Sequence, residues 1–120
     1  MPRILYVDDE NDIREIAGMA LELEETFEVR TAASGREGLD LARSFRPDLI
    51  MLDVMMPGMD GISTFAAARK DPILASIPVV FVTARTQTHQ VAELMELGAH
   101  GVIPKPFDPL TLAEEIENYL

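Results

Sequence analysis

The chain contains no cysteine. Disulfides and thiolate metal sites are therefore excluded, which fits a reducing cytoplasm. No apolar stretch approaches the roughly 20 residues that a membrane helix needs, and the N-terminus lacks the charged and apolar regions of a signal peptide. Basic residues are scarce: ten Lys and Arg stand against twenty-one Asp and Glu, a net charge of −11. A field of that sign repels nucleic acid and acidic membranes and argues against direct contact with either. Internal repeats, low-complexity segments and linkers are missing too. What remains is 120 residues, 48% hydrophobic and 26% charged, a composition too apolar for disorder and long enough for one domain (residues 1–120) with a substantial core.

Strand and helix signals alternate five times. Arg3–Val7 is a short, nearly continuous apolar run of the kind burial on both faces requires. Ile13, Ile16, Ala17, Ala20 and Leu21 then recur at the spacing of one helical face. Residues 27–33 alternate partially, like an edge strand. Ser34-Gly35-Arg36-Glu37 has capping-box spacing and opens a second helix, with Gly38, Leu41, Ala42 and Phe45 toward the core. Pro47 stops it, and residues 48–54 form the third strand. A loop from Met56 to Gly61 leads into a third helix, where Ile62, Phe65 and Ala66 share a face and Pro72 marks the end. Pro78 introduces a strand at 79–82. A helix at 88–97 is closed by Gly98, suited to a left-handed cap. Residues 101–105 make the fifth strand. Asp108-Pro109 supplies an N-cap and a first-turn proline for a last helix lined by Leu112, Ala113, Ile116, Tyr119 and Leu120.

Five strand–helix units with short connections imply an α/β, doubly wound (βα)5 domain, a parallel sheet covered on both faces. Pro104 cannot donate to a ladder, so the fifth strand belongs at an edge. Strand order 2-1-3-4-5 satisfies this and sets strands one and three side by side at the topological switch point, where open α/β sheets bind ligands. The strand ends then converge. Strand one ends in Asp8-Asp9, strand three in Asp53, strand four in Thr83 and strand five in Lys105. Three ionised carboxylates in one crevice repel unless a cation compensates. Oxygen-only ligands favour Mg²⁺, or Mn²⁺. With the metal and Lys105 in place, Asp53 can stay ionised and attack phosphorus to give an acyl phosphate, while the metal, Lys105 and Thr83 hold the equatorial oxygens.

Taken singly, each of these residues has a structural reading as a turn, a cap or a surface charge; their joint placement on separate strand ends favours the site. His89 and His100 read as exposed. Met51, Met55, Met56 and Met59 read as gap-fillers around a loop, and Glu22, Glu24, Glu25 and Glu28 as a solvated surface.

Motifs along essentially the whole chain resemble the receiver domain of bacterial two-component response regulators, of the chemotaxis-receiver, flavodoxin-like type. They run from Ile4-Leu5-Tyr6-Val7-Asp8-Asp9-Glu10 through Leu52-Asp53-Val54-Met55-Met56-Pro57-Gly58-Met59-Asp60-Gly61 to Ile77-Pro78, Thr83-Ala84, Gly98-Ala99 and Lys105-Pro106-Phe107. The resemblance implies that Asp53 accepts a phosphoryl group from a sensor histidine kinase or a histidine phosphotransfer protein. It implies Mg²⁺ ligation by Asp9, Asp53 and the Met55 backbone carbonyl, with Asp8 acting mainly through water. Lys105 would bind the phosphoryl group, Thr83 would swing toward it, and Lys105–Pro106 would be cis. The surface of the fourth helix, fifth strand and fifth helix would carry the response to a downstream effector protein or domain, with a phosphorylation-linked homodimer through it as one form of output. Met55 and Arg85 occupy positions that in the family help set the lifetime of the phosphoryl group. The chain departs from the family at Val102, where receivers commonly carry an aromatic residue that couples to the threonine, and at Pro104.

Three other readings compete. An aspartate-nucleophile phosphohydrolase would want a second acid where Met55 stands. A flavodoxin-like electron carrier would want a phosphate cradle where Asp8-Asp9-Glu10 stand. A degenerate receiver would serve as a binding scaffold without phosphorylation. Whether the receiver stands alone or belongs to a longer regulator is open at this stage.

Overall fold

A computed structural model describes residues 1–24 and 26–120; Glu25, expected on a solvated surface, lies outside the described residues. Five strands, β1 (Arg3–Val7), β2 (Glu28–Ala32), β3 (Leu49–Asp53), β4 (Val79–Thr83) and β5 (Gly101–Pro104), alternate with α1 (Asn11–Glu22), α2 (Gly35–Phe45), α3 (Gly61–Lys70), α4 (Thr88–Glu96) and α5 (Leu112–Glu117). All strand pairs are parallel and the sheet order is β2-β1-β3-β4-β5. Pro104 therefore sits on an edge strand, as its missing N–H requires.

The central strands are buried on both faces, and their alternate residues feed two cores. Leu5, Val7, Ile50, Leu52 and Phe81 pack with Leu39 and Ala42 of α2, Phe65 and Ala68 of α3, and Leu94 of α4. Ile4, Tyr6, Met51, Val80, Val82 and Ile103 pack with Ala17, Ala20 and Leu21 of α1 and with Leu112 and Ile116 of α5. The register pairs Val7 with Leu52 and Leu52 with Phe81, so β1, β3 and β4 end nearly level beneath one crevice.

Local chemistry sets the helix boundaries. Ser34 caps α2 by accepting the Glu37 N–H at 3.1 Å, while the Glu37 carboxylate accepts the Ala33 N–H at 3.2 Å, one residue outside the expected box. Arg46 ends α2 in the left-handed region (φ 53°) because the following Pro47 disfavours a helical residue before it. Gly98 (φ 111°) closes α4 as expected.

The expected core face of α1 holds except at Ile16, that of α2 holds throughout, and that of α3 is rotated. In α1, Ile16 is exposed and Gly18 is buried against Thr31, since the helix is seated by β2 and α5 together. In α2, Gly38 and Ala42 are buried and Leu41 and Phe45 pack against the core as expected, with Gly35 and Leu39 buried beside them. In α3, Ile62 and Ala66 face solvent and Gly61, Thr64, Phe65 and Ala68 face inward, because Gly61 is pressed against the Asp53 carbonyl and sets the helix's rotation. Asp108-Pro109 forms a turn ahead of α5, not its first turn. Asp108 accepts the Leu110 N–H at 2.9 Å, but Thr111 (φ −115°, ψ −4°) departs from helical values and separates the two. Leu120 is exposed beyond the end of α5.

Candidate functional site

Residues 6 and 8 project to the same side of the first strand and its continuation, so Tyr6 and Asp8 meet: the Tyr6 hydroxyl donates to Asp8 Oδ2 at 2.9 Å, and both residues are fully buried. Asp8 Oδ1 accepts the Glu10 N–H at 2.9 Å, and the Arg14 guanidinium donates to the Asp8 carbonyl at 2.8 Å. The chain turns sharply here and presents Asp9 beside Asp8. From β3, Asp53 enters the same crevice, 3% exposed. One carboxylate oxygen from each of Asp8, Asp9 and Asp53 lies within 4.8 Å of the others.

Lys105, just past β5, reaches back across the crevice. Its ammonium lies 2.8 Å from Asp8 Oδ2, 3.2 Å from Asp53 Oδ1 and 3.9 Å from Glu10 Oε1. Its backbone N–H donates to the Thr83 carbonyl at 2.9 Å, and the Lys105–Pro106 peptide is cis. Thr83 is buried at the end of β4, and its hydroxyl accepts the Arg85 N–H at 3.0 Å. The four charged residues expected in the crevice thus meet, whereas the Thr83 side chain is engaged with its own loop.

The electrostatics follow from burial. Desolvation, then the neighbouring Asp8 charge, push the Asp53 carboxyl above its ordinary value of 3.8 to about 6, although Lys105 pulls it down. Burial would lower the Lys105 ammonium, but its hydrogen bond and charge contact with Asp8, and those with Asp53, outweigh this and raise it. Burial and then the Asp8 charge hold the Tyr6 hydroxyl protonated far above its usual range.

One lysine for three carboxylates leaves the cluster short of positive charge. Among the described residues, two buried oxygens, Asp9 Oδ1 and Asp53 Oδ2, have no hydrogen-bond partner. Buried carboxylate oxygens are rarely left so. An all-oxygen donor set of this charge fits a hard divalent cation such as Mg²⁺.

The cluster opens to either side. An apolar cleft of about 420 Å³, lined by Ile13, Ile16, Ala84, Pro106, Phe107 and Pro109, adjoins Lys105 and Glu10. A smaller one of about 200 Å³, bounded by Met55, Asp60, Thr83 and Arg85, lies beside β3 and β4. Met55 is exposed at that rim, Met51 and Met56 are buried, and Met59 packs partly buried against the core, so these last three fill gaps. His89 and His100 are exposed, as expected. Glu28 is not merely solvated: it pairs with Arg3 and Arg30 at 3.4 and 3.5 Å. Tyr6, Glu10 and Arg14 were not among the expected site residues. The available signal was a tyrosine set in the otherwise aliphatic run Ile4-Leu5-Tyr6-Val7, two residues before an acid.

Comparison with known proteins agrees with this architecture. The chain is 37% identical over 117 residues to the transcriptional regulatory protein CseB of Streptomyces coelicolor, covering 98% of this chain and 48% of that protein. It is 38% identical over 114 residues to the DNA-binding response regulator MtrA of Mycobacterium tuberculosis, covering 95% and 48%. The chain thus spans about half the length of these curated relatives. Among solved structures, the chemotaxis protein CheY4 of Vibrio cholerae superposes with a TM-score of 0.91 at 36% identity, covering 100% of this chain and 99% of that one. A response regulator from Desulfuromonas acetoxidans gives 0.87 at 29% identity, covering 99% and 96%. The family model of the response regulator receiver domain matches residues 4–117, and the chain belongs to that family.

Proposed function

We propose that residues 1–120 act as one phosphoacceptor domain of a two-component system in which Asp53 is the phosphorylated residue. The observation that carries this reading is the buried, unpartnered Oδ2 of Asp53, set beside the equally unpartnered Asp9 Oδ1, with the Lys105 ammonium on the other Asp53 oxygen. An Asp53 oxygen forms the new O–P bond while the P–N bond of a phosphohistidine donor breaks; the electron pair returns to the imidazole nitrogen, which takes up a proton. Lys105 is placed to follow the charge that develops on the phosphoryl oxygens, and the Thr83 hydroxyl, which accepts the Arg85 N–H, keeps its own proton to donate to one of them.

Asp9, Asp53 and the Met55 carbonyl would hold Mg²⁺ (or Mn²⁺), with Asp8, already bonded to Tyr6, Glu10 and Lys105, acting indirectly. The bound cation would neutralise carboxylate charge and stabilise the phosphoryl oxygens. The donor is a sensor histidine kinase or phosphotransfer protein, and α4, β5 and α5 present the response to an effector protein or domain. On this reading the chain promotes its own phosphorylation and dephosphorylation, is not a metabolic enzyme, and makes no contact of its own with nucleic acid. A phosphorylation-independent scaffold is the second reading, favoured by Val102, which offers no ring to answer Thr83.

The test is intact mass after incubation with acetyl phosphate, with and without Mg²⁺. The wild type is expected to gain one phosphoryl group only with metal, and Asp53→Asn none. Stoichiometric phosphate on Asp53→Asn would sink the assignment.

A further inference from the structure

A buried hydroxyl in mid-strand needs a partner, and an aliphatic residue at that position would need none. Tyr6 is fully buried in a strand whose neighbours Ile4, Leu5 and Val7 are aliphatic, and its hydroxyl reaches Asp8 Oδ2. Its ring is held edge-to-face by Phe107 at 6.4 Å, two residues beyond the lysine. Asp8 Oδ2 is also the oxygen closest to the Lys105 ammonium, nearer at 2.8 Å than Asp53 Oδ1 at 3.2 Å. Asp8 and Asp53 therefore compete for one cation, and the Tyr6 hydroxyl supplies Asp8 with a second donor on the contested oxygen.

Resting on the phosphoacceptor reading above, we propose that Tyr6 is a positioning residue for phosphoryl transfer: by satisfying Asp8 Oδ2 it weakens the hold of Asp8 on Lys105 and leaves the ammonium free to follow the phosphoryl group on Asp53. On that reading the direct metal ligands are Asp9, Asp53 and the Met55 carbonyl, and Asp8 acts only indirectly. The unpartnered oxygens belong to Asp9 and Asp53, not to Asp8, so loss of the Tyr6 hydroxyl strengthens the Asp8–Lys105 pair without removing a ligand.

Tyr6→Phe keeps the ring and its contact with Phe107 and deletes only the hydroxyl. With acetyl phosphate as donor, its rate of phosphorylation is expected to fall about tenfold, the scale of one hydrogen bond to a charged group, while the Mg²⁺ concentration for half-maximal rate does not rise. In a Lys105→Ala background the same substitution should change the rate less than about twofold, because the contested cation is gone. A merely structural role would weaken metal use together with rate and would persist without Lys105; either result overturns the proposal, as does a Tyr6→Phe rate equal to wild type. Failure of the wild type itself to gain a phosphoryl group would instead overturn the phosphoacceptor reading, and this inference with it. Matching thermal unfolding and circular dichroism of the variants complete the comparison.

Discussion

Asp53 is held in an environment that disfavours its charge, and that is a stability statement as well as a chemical one. In the metal-free protein burial and Asp8 raise its carboxyl to about 6, against the ordinary 3.8 that the unfolded chain keeps. Between those values the folded chain holds a proton that the unfolded chain has released, so the contribution of this group to stability falls as pH rises through the window and is lost above it. Asp53→Asn removes the charge without changing shape. In EDTA at pH 7 it is expected to be more stable than the wild type by about 1–2 kcal/mol, the usual sign when a functional group is relieved of strain. The difference should shrink as pH is lowered toward 4.5. Urea titrations at the two pH values measure it, and a gap that widens on acidification would contradict the assigned direction. The acidic strand ends were legible in sequence because strands place their terminal residues at a known edge. The partners of each oxygen were not, since they depend on distances between segments nearly a hundred residues apart.

At the scale of elements, the join between β3 and α3 is the tightest part of the crevice. Gly61 donates its N–H to the Val54 carbonyl at 2.9 Å, and a Cβ there would meet the Asp53 carbonyl oxygen and lie 2.7 Å from Val54 Cα. Both obstacles are backbone, so neither can move without displacing Asp53. Gly61→Ala is expected to cost about 2–3 kcal/mol, at the upper end of overpacking, and to slow phosphorylation as well, whereas a substitution of the exposed neighbour Ser63 by alanine should do neither. Denaturation midpoints and phosphorylation rates of the two variants decide it. This contact also explains the misplaced face of α3. The periodicity of Ile62, Phe65 and Ala66 satisfies a helix, but the inward stripe is selected by where the first turn is clamped. Asp60 reinforces the clamp by accepting the Ser63 N–H at 2.8 Å.

The molecule as a whole is electrically lopsided. Residues 86–120, which build α4, β5 and α5, contain Glu93, Glu96, Asp108, Glu114, Glu115 and Glu117 against a single formal cation, Lys105. That lysine is turned inward onto Asp8 and Asp53. A symmetric dimer through this face would set like charges against each other with no lysine or arginine of its own to pair them. This charge pattern predicts that the phosphorylation-linked homodimer does not form. Light scattering of the beryllofluoride-loaded protein should report a monomer at low salt and micromolar concentration; a dimer under those conditions, where repulsion is least screened, would overturn the argument.

Strand positions, the parallel sheet with Pro104 at its edge, and the gathering of Asp8, Asp9, Asp53 and Lys105 were determined by sequence alone. Each rests on a local rule: short apolar runs make buried strands, short crossovers make them parallel, and a proline needs an edge. Only the tertiary structure decided which face of α3 turns inward, that the Thr83 hydroxyl serves the Arg85 N–H, and that Tyr6 shares with Lys105 one oxygen of Asp8. Helix rotation is chosen by packing partners distant in sequence, and a hydrogen bond by separations of a few tenths of an ångström, neither of which a linear pattern encodes.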